Sequence, residues 1–109
     1  MSSMSELLVK KMVVLSWKDR LANAITMNDG SFVIGSFPSV EAAENMIDSL
    51  RSLHEINDEL IAHNLDIARN NPADIAAADE AVFLTAQNSA LDKKMEDIHS
   101  VVGTMNSLA

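Results

Sequence analysis

Apolar residues recur every three or four positions over two long stretches of the chain, while a shorter stretch nearer its start is dense in β-branched and aromatic residues. The long stretches, residues 39–69 and 72–106, predict helices, because alternating steps of three and four line one face of a 3.6-residue turn. The short one reads "AITMNDGSFVIGSF" at 24–37. Ile25-Thr26-Met27 and Phe32-Val33-Ile34 suit strands, and Asn28-Asp29-Gly30 between them has the chemistry of a tight hairpin turn. "LLVKKMVVLSW" at 7–17 fits either period: Val13-Val14 favours a strand, whereas Leu8, Met12 and Leu15 suit a helix face. A third strand is the expectation there.

Helix boundaries follow from local chemistry. Ser39 is placed to cap free backbone N–H groups, with Glu41 and Glu44 at the positive end of the helix dipole. In "IARNNPADIA" at 67–76, Asn71 reads as an N-cap, Pro72 as the first helical residue and Asp74 as part of the first turn. The motif thus stops one helix and starts another. Heptads align the two. The first helix has Ala43, Leu50, Asn57 and Asn64 at a, with Met46, Leu53, Leu60 and Ile67 at d. The second has Ala81, Asn88, Met95 and Val102 at a, with Ala77, Leu84, Leu91, Ile98 and Met105 at d. In an antiparallel pair, a faces d at a constant index sum. Ala43 with Ile98, Leu50 with Leu91, Leu53 with Asn88 and Asn57 with Leu84 all obey one sum, whose pivot falls between Asn70 and Asn71.

The predicted fold class is α+β, mostly α, in a single domain 1–109. A two- or three-stranded antiparallel β-layer (1–37) precedes a long antiparallel helical hairpin, coiled-coil-like, with helices at 39–69 and 72–106. The last turns of the second helix, with Val101 and Leu108, are expected to pack on the β-layer. A helix of this length spans about 46 Å, so the hairpin is an elongated arm.

Two helices satisfy one stripe each, yet Val40, Ile47, Ile56, Ile61, Leu65, Ile75, Val82 and Phe83 lie off the seam. Ile56, Ile61, Leu65, Ile75, Val82 and Phe83 gather towards the tip. Burying one such side chain contributes on the order of 1.5–3 kcal/mol, so a surface for self-association or for a partner is expected. The plainer reading is that Ile75, Ala78, Val82 and Ala86, at steps of three, four and four, slip into the hairpin core. Asn57, Asn64 and Asn88 at seam positions cost stability but can specify register or oligomer state.

Charge narrows the partners. The chain has 109 residues with 8 Lys+Arg against 16 Asp+Glu, a net charge of −8 at pH 7. Residues 1–37 hold four bases and three acids, a net of +1, and residues 38–109 hold four bases and thirteen acids, a net of −9. Nucleic acid and anionic membranes both call for a basic footprint, so neither is the expected partner. Lys10, Lys11, Trp17, Lys18 and Arg20 are the sole candidate nucleic-acid contacts. The acids along the first helix could imitate DNA phosphates, but keeping a long helix in solution is their ordinary role. Met12-Val13-Val14-Leu15 is far shorter than the roughly 20 residues of a membrane span. Lys18, Asp19 and Arg20 interrupt any leader peptide there, so a cytoplasmic protein is expected.

Reactive chemistry finds little support. No cysteine is present, which removes thiolate metal sites and thiol nucleophiles. Glu96 and His99, at i and i+3, have the spacing of helix-bundle metal ligands, as Glu59 and His63 do at i and i+4. The heptad frame nevertheless turns both pairs away from the seam or along its rim. His54, beside Ile47 and Ile61, reads as a half-buried interface histidine. No Gly-x-Ser-x-Gly elbow and no Gly-rich phosphate loop occurs. No enzyme activity, metal or cofactor is expected.

What remains is a small non-enzymatic interaction protein. It is expected to form a homodimer or higher homo-oligomer through its hairpin, and to bind, block or escort a larger protein, as phage-type accessory or inhibitor proteins do. The alternatives are a structural subunit of a virion or secretion apparatus, and a transcription regulator with a helical dimerisation arm. The second half is loosely similar to the hairpin subunits of polymeric secretion needles, which also turn at a Pro/Asn motif. The β-rich start and long first helix depart from that pattern.

Overall fold

The computed structural model describes residues 3–16 and 37–108. Three helices occupy them: α1 (Met4–Ser16), α2 (Val40–Asn70) and α3 (Ile75–Leu108). Among the described residues there is no strand.

The N-terminal β-layer is therefore corrected. Residues 7–16, expected as a strand, are helical. The local reason is a capping signature: the Ser3 hydroxyl accepts from the Glu6 N–H at 3.2 Å, and the Leu7 N–H donates to the Ser3 carbonyl at 3.0 Å. Ser-x-x-Glu is the spacing of a capping box. The tertiary reason is that Leu7 is fully buried, against Ile56, Leu60 and Leu84, with Met4 beside it. A step of three from Met4 to Leu7 is a helical period, which outweighs the strand preference of the Val13-Val14 pair. The expected β-hairpin at 24–37 lies outside the described residues apart from Phe37, which is buried in the core.

α2 and α3 form the antiparallel hairpin. Ser39 caps α2 as its chemistry suggests, its hydroxyl accepting from the Ala42 N–H at 3.1 Å. Most of the residues that the heptads place in the seam are buried. Ala43, Met46, Leu50, Leu53, Asn57, Leu60 and Asn64 of α2 are buried. So are Ala77, Ala81, Leu84, Asn88, Leu91 and Ile98 of α3. The particle measures 55 × 24 × 20 Å along its principal axes.

The turn differs in detail. Asn71 ends α2, its N–H still donating to the Ile67 carbonyl at 2.9 Å. The Asp74 N–H donates to the Asn71 carbonyl at 2.9 Å, which closes a turn with Pro72 and Ala73 at its centre. Proline suits the second position of such a turn because its ring fixes φ. Asp74 then caps α3, its Oδ1 accepting from the Ala77 N–H at 3.0 Å. Asn71 was expected in that role, so α3 begins three residues later than 72. The seam pairings shift to match: Asn57 with Gln87 and Asp58 with Asn88 turn about a point inside 71–74 rather than between 70 and 71. Ile67, a d residue, is left 37% exposed beside this turn.

A prediction separates the two assignments. Asp74→Ala is expected to cost about 1 kcal/mol of unfolding free energy, the usual loss of an N-cap. Asn71→Ala, which leaves that cap intact, is expected to cost clearly less. Urea titrations followed by circular dichroism check this, and equal losses would return the cap to Asn71.

The core divides in two. Phe37, Ala43, Met46, Ile47, Leu50, Leu53, Leu91, Ile98 and Val101 form one cluster at the open end of the hairpin. Leu7, Ile56, Leu60 and Leu84 form the other, nearer the turn. Ile47 and Ile56, off the seam by the heptads, are buried because Phe37 and α1 cover them. Val101 joins the first cluster, whereas Leu108, expected to pack with it, is 72% exposed.

Candidate interaction surface at the hairpin tip

Between the two clusters lies a polar layer. The Asn57 Nδ2 donates to Gln87 Oε1 at 2.8 Å, and Lys11 Nζ of α1 donates to the same oxygen at 3.0 Å. The Asn88 Nδ2 donates to Asp58 Oδ1 at 2.8 Å. His54 spans the helices, Nδ1 lying 3.1 Å from Asp58 Oδ2 and Nε2 3.2 Å from Asp92 Oδ1. Only an imidazolium can donate to both carboxylates at once. Both carboxylates are mostly in water, so the bridge adds little stability. Burial holds the Lys11 ammonium below the usual lysine pKa, with the Glu80 carboxylate opposing that shift.

The three seam asparagines thus divide. Asn57 and Asn88 bond across the hairpin, and the Oδ1 atom of each is buried without a hydrogen-bond partner. Asn64 donates to the Leu60 carbonyl of its own helix at 2.9 Å and makes no bond across the seam there. Gln87 and Lys11 were not singled out in the sequence. Gln87 sits at a rim position of the heptad, and Lys11 fell in the presumed strand.

The six expected interface residues also divide. Ile56 is buried under α1, away from any partner. Ile61, half-buried, forms one wall of a groove with Leu65 on α2, and Val82 forms the opposite wall on α3. Ala78, Ala81, Thr85 and Ala86 complete its lining, and its volume is about 510 Å³. Ile75 and Phe83 are exposed on α3 outside this lining. Exposure decides the character of the tip: Leu65 is 44% exposed, Phe83 57%, Ile75 69% and Val82 70%. The stripe from Ile75 to Ala86 therefore faces water and does not slip into the core.

The groove lies on the opposite side of the hairpin from α1. Leu84 and Gln87 of α3 meet Leu7 and Lys11, whereas Ala78, Val82 and Thr85 of the same helix line the groove. α1 offers a second apolar surface of its own, with Leu8, Val9, Met12 and Val13 exposed.

The candidate metal pairs do not converge. Glu96 and His99 are both exposed on α3, and Glu59 and His63 are half-buried on α2. Among the described residues, no three His, Asp or Glu side chains come together as metal ligands would. No helix among them is long and apolar enough to cross a membrane.

These features define a class: a two-helix hairpin, covered by a third helix on one face and open along an apolar groove on the other. Comparison with known proteins finds no matching family model, no matching curated protein and no matching solved structure.

Proposed function

We propose that this chain is a small, non-enzymatic protein–protein interaction protein of the cytoplasm. Its hairpin tip is the surface for contact with copies of itself and with a larger protein that it blocks or escorts, in the manner of an accessory or inhibitor protein of phage type. One observation carries the reading: Leu65, Ile75, Val82 and Phe83 stand in water within one end of the hairpin. Burying the exposed part of each contributes on the order of 1–2 kcal/mol. A symmetric dimer counts them twice, about 8–16 kcal/mol in all, against an association cost of about 4–15 kcal/mol. Self-association follows where the gain lies in the upper part of its range.

Light scattering over a range of concentrations tests this. A discrete dimer or tetramer is expected, and Leu65→Asp with Phe83→Asp is expected to reduce it to monomer while helicity is kept. Both side chains are largely exposed, so the pair leaves the core alone. An unchanged mass refutes self-association through the tip.

The second reading, a subunit of a larger assembly, is favoured by the exposed apolar face of α1. Apolar surfaces on two sides of one molecule support head-to-tail contacts, which need not close. That reading predicts open-ended growth of mass with concentration.

A further inference from the structure

The tip groove sits in a strongly acidic setting. Over residues 54–93, which contain it, eight acids face two bases, Arg69 and Lys93, a net of −6. Two of the acids are set along the groove itself. Asp58 precedes Ile61 by three residues and Leu65 by seven, and Asp79 stands in the same relation to Val82 and Ala86, so each shares a helix stripe with groove residues. Both residues are exposed, Asp58 while also accepting from Asn88 and lying against His54. The groove runs from Ala78 to Ala86 on α3, about 12 Å, or two helical turns. The small side chains of Ala78, Ala81 and Ala86 in its lining let a backbone approach closely.

We infer that this groove takes an amphipathic helix of another protein, with apolar residues at i, i+3, i+4 and i+7 and Lys or Arg along its flanks. An apolar stripe laid in a groove is a standard mode of helix recognition, and the acidic surround selects the sign of the flanking charge. Nucleic acid would bring negative charge, and a second copy brings its own tip of net −6, so at low salt the basic helix is favoured here over self-association, which like charge weakens. This inference rests on the interaction reading above and names the chemistry of the larger partner.

The test uses the full chain and two synthetic helices of about 14 residues, one built from Leu and Lys and the other from Leu and Glu with the same apolar spacing. Fluorescence anisotropy is expected to show the lysine helix binding about tenfold or more tighter than the glutamate helix at about 50 mM salt. That advantage is expected to shrink towards 500 mM, where the Debye length is only a few ångströms. Val82→Asp is expected to weaken the lysine helix about tenfold or more, the usual scale for losing a central apolar anchor. That variant adds a negative charge, so a purely electrostatic attraction would hold or strengthen. Leu108→Asp, at the far end of α3, is expected to change nothing.

Equal binding of the two helices, or undiminished binding to Val82→Asp, overturns the inference. If neither helix binds while Leu65→Asp with Phe83→Asp still dissolves an oligomer, this inference falls and self-association stands. A chain that is monomeric at all concentrations yet binds the lysine helix as described gives the converse.

Discussion

Leu50→Ala is expected to lower the unfolding free energy by about 2–5 kcal/mol, the range for emptying a leucine site in a packed core. A chain of this length has a total stability of only about 5–15 kcal/mol, so one substitution removes a large share of it. Leu50 is fully buried in the cluster that holds Leu53, Leu91 and Ile98. Those neighbours sit on two stiff helices, which limits how far the site can collapse. In urea the midpoint is expected to fall with little change in slope, since the same surface is exposed on unfolding. Leu108→Ala serves as the comparison and is expected to stay within about 0.5 kcal/mol, because that side chain is 72% exposed. A loss under about 1 kcal/mol for Leu50→Ala would place this residue outside the helical seam and undo the register built on it.

The buried stripe of each helix and the antiparallel sense were legible because they rest on many positions at once, whereas the exact pairing followed the turn and shifted with it. Ala43, Met46, Leu50, Leu53 and Leu60 on one helix, with Ala81, Leu84, Leu91 and Ile98 on the other, repeat strictly enough to fix both the partner and the antiparallel sense. The turn was legible to within a few residues. Asn71, Pro72 and Asp74 each tolerate two roles, as parts of a β-turn or of a helix start, and backbone geometry chose the turn. α1 was misread for a physical reason: Val13-Val14 is a strong but local preference, while the burial of Leu7 under Ile56 and Leu60 is tertiary. The Ser3–Glu6 capping box was a local sign that pointed the right way, as was the helical spacing of Leu8, Met12 and Leu15. The tip patch was half legible. Spacing alone marked Ile56 as surplus to the seam, and only the placement of α1 shows that it is covered. The stripe of Ile75, Ala78, Val82 and Ala86 did separate Val82 from Phe83, and what the pattern left open was whether that stripe lay in the core or in water.

Asn57→Leu is expected to stabilise the fold by up to about 2 kcal/mol, although it deletes a hydrogen bond. Asn57 is fully buried and donates from Nδ2 to Gln87 Oε1. Its orientation is set by Lys11, which donates to the same Gln87 oxygen and so keeps that atom an acceptor. Turning the Asn57 amide over would set oxygen against oxygen. Its Oδ1 is therefore held without a partner in the seam, and a buried unsatisfied acceptor costs about 1–3 kcal/mol. Leucine removes that oxygen and adds apolar contact with Leu53, Leu60 and Leu84, while Gln87 keeps its bond from Lys11. The lost hydrogen bond is worth only about 1 kcal/mol. For a domain of this size a gain of 1 kcal/mol raises the melting temperature by roughly 4–8 °C. What leucine removes is specificity, because a polar layer inside an apolar seam disfavours every other alignment of the helices. The variant is thus expected to melt higher and to show a broader distribution of mass by light scattering than the parent chain. A lower melting temperature would mean that the Asn57 oxygen has a donor after all. A higher one with an unchanged mass distribution would confine this layer to the stability of the hairpin and remove it from any choice of oligomer.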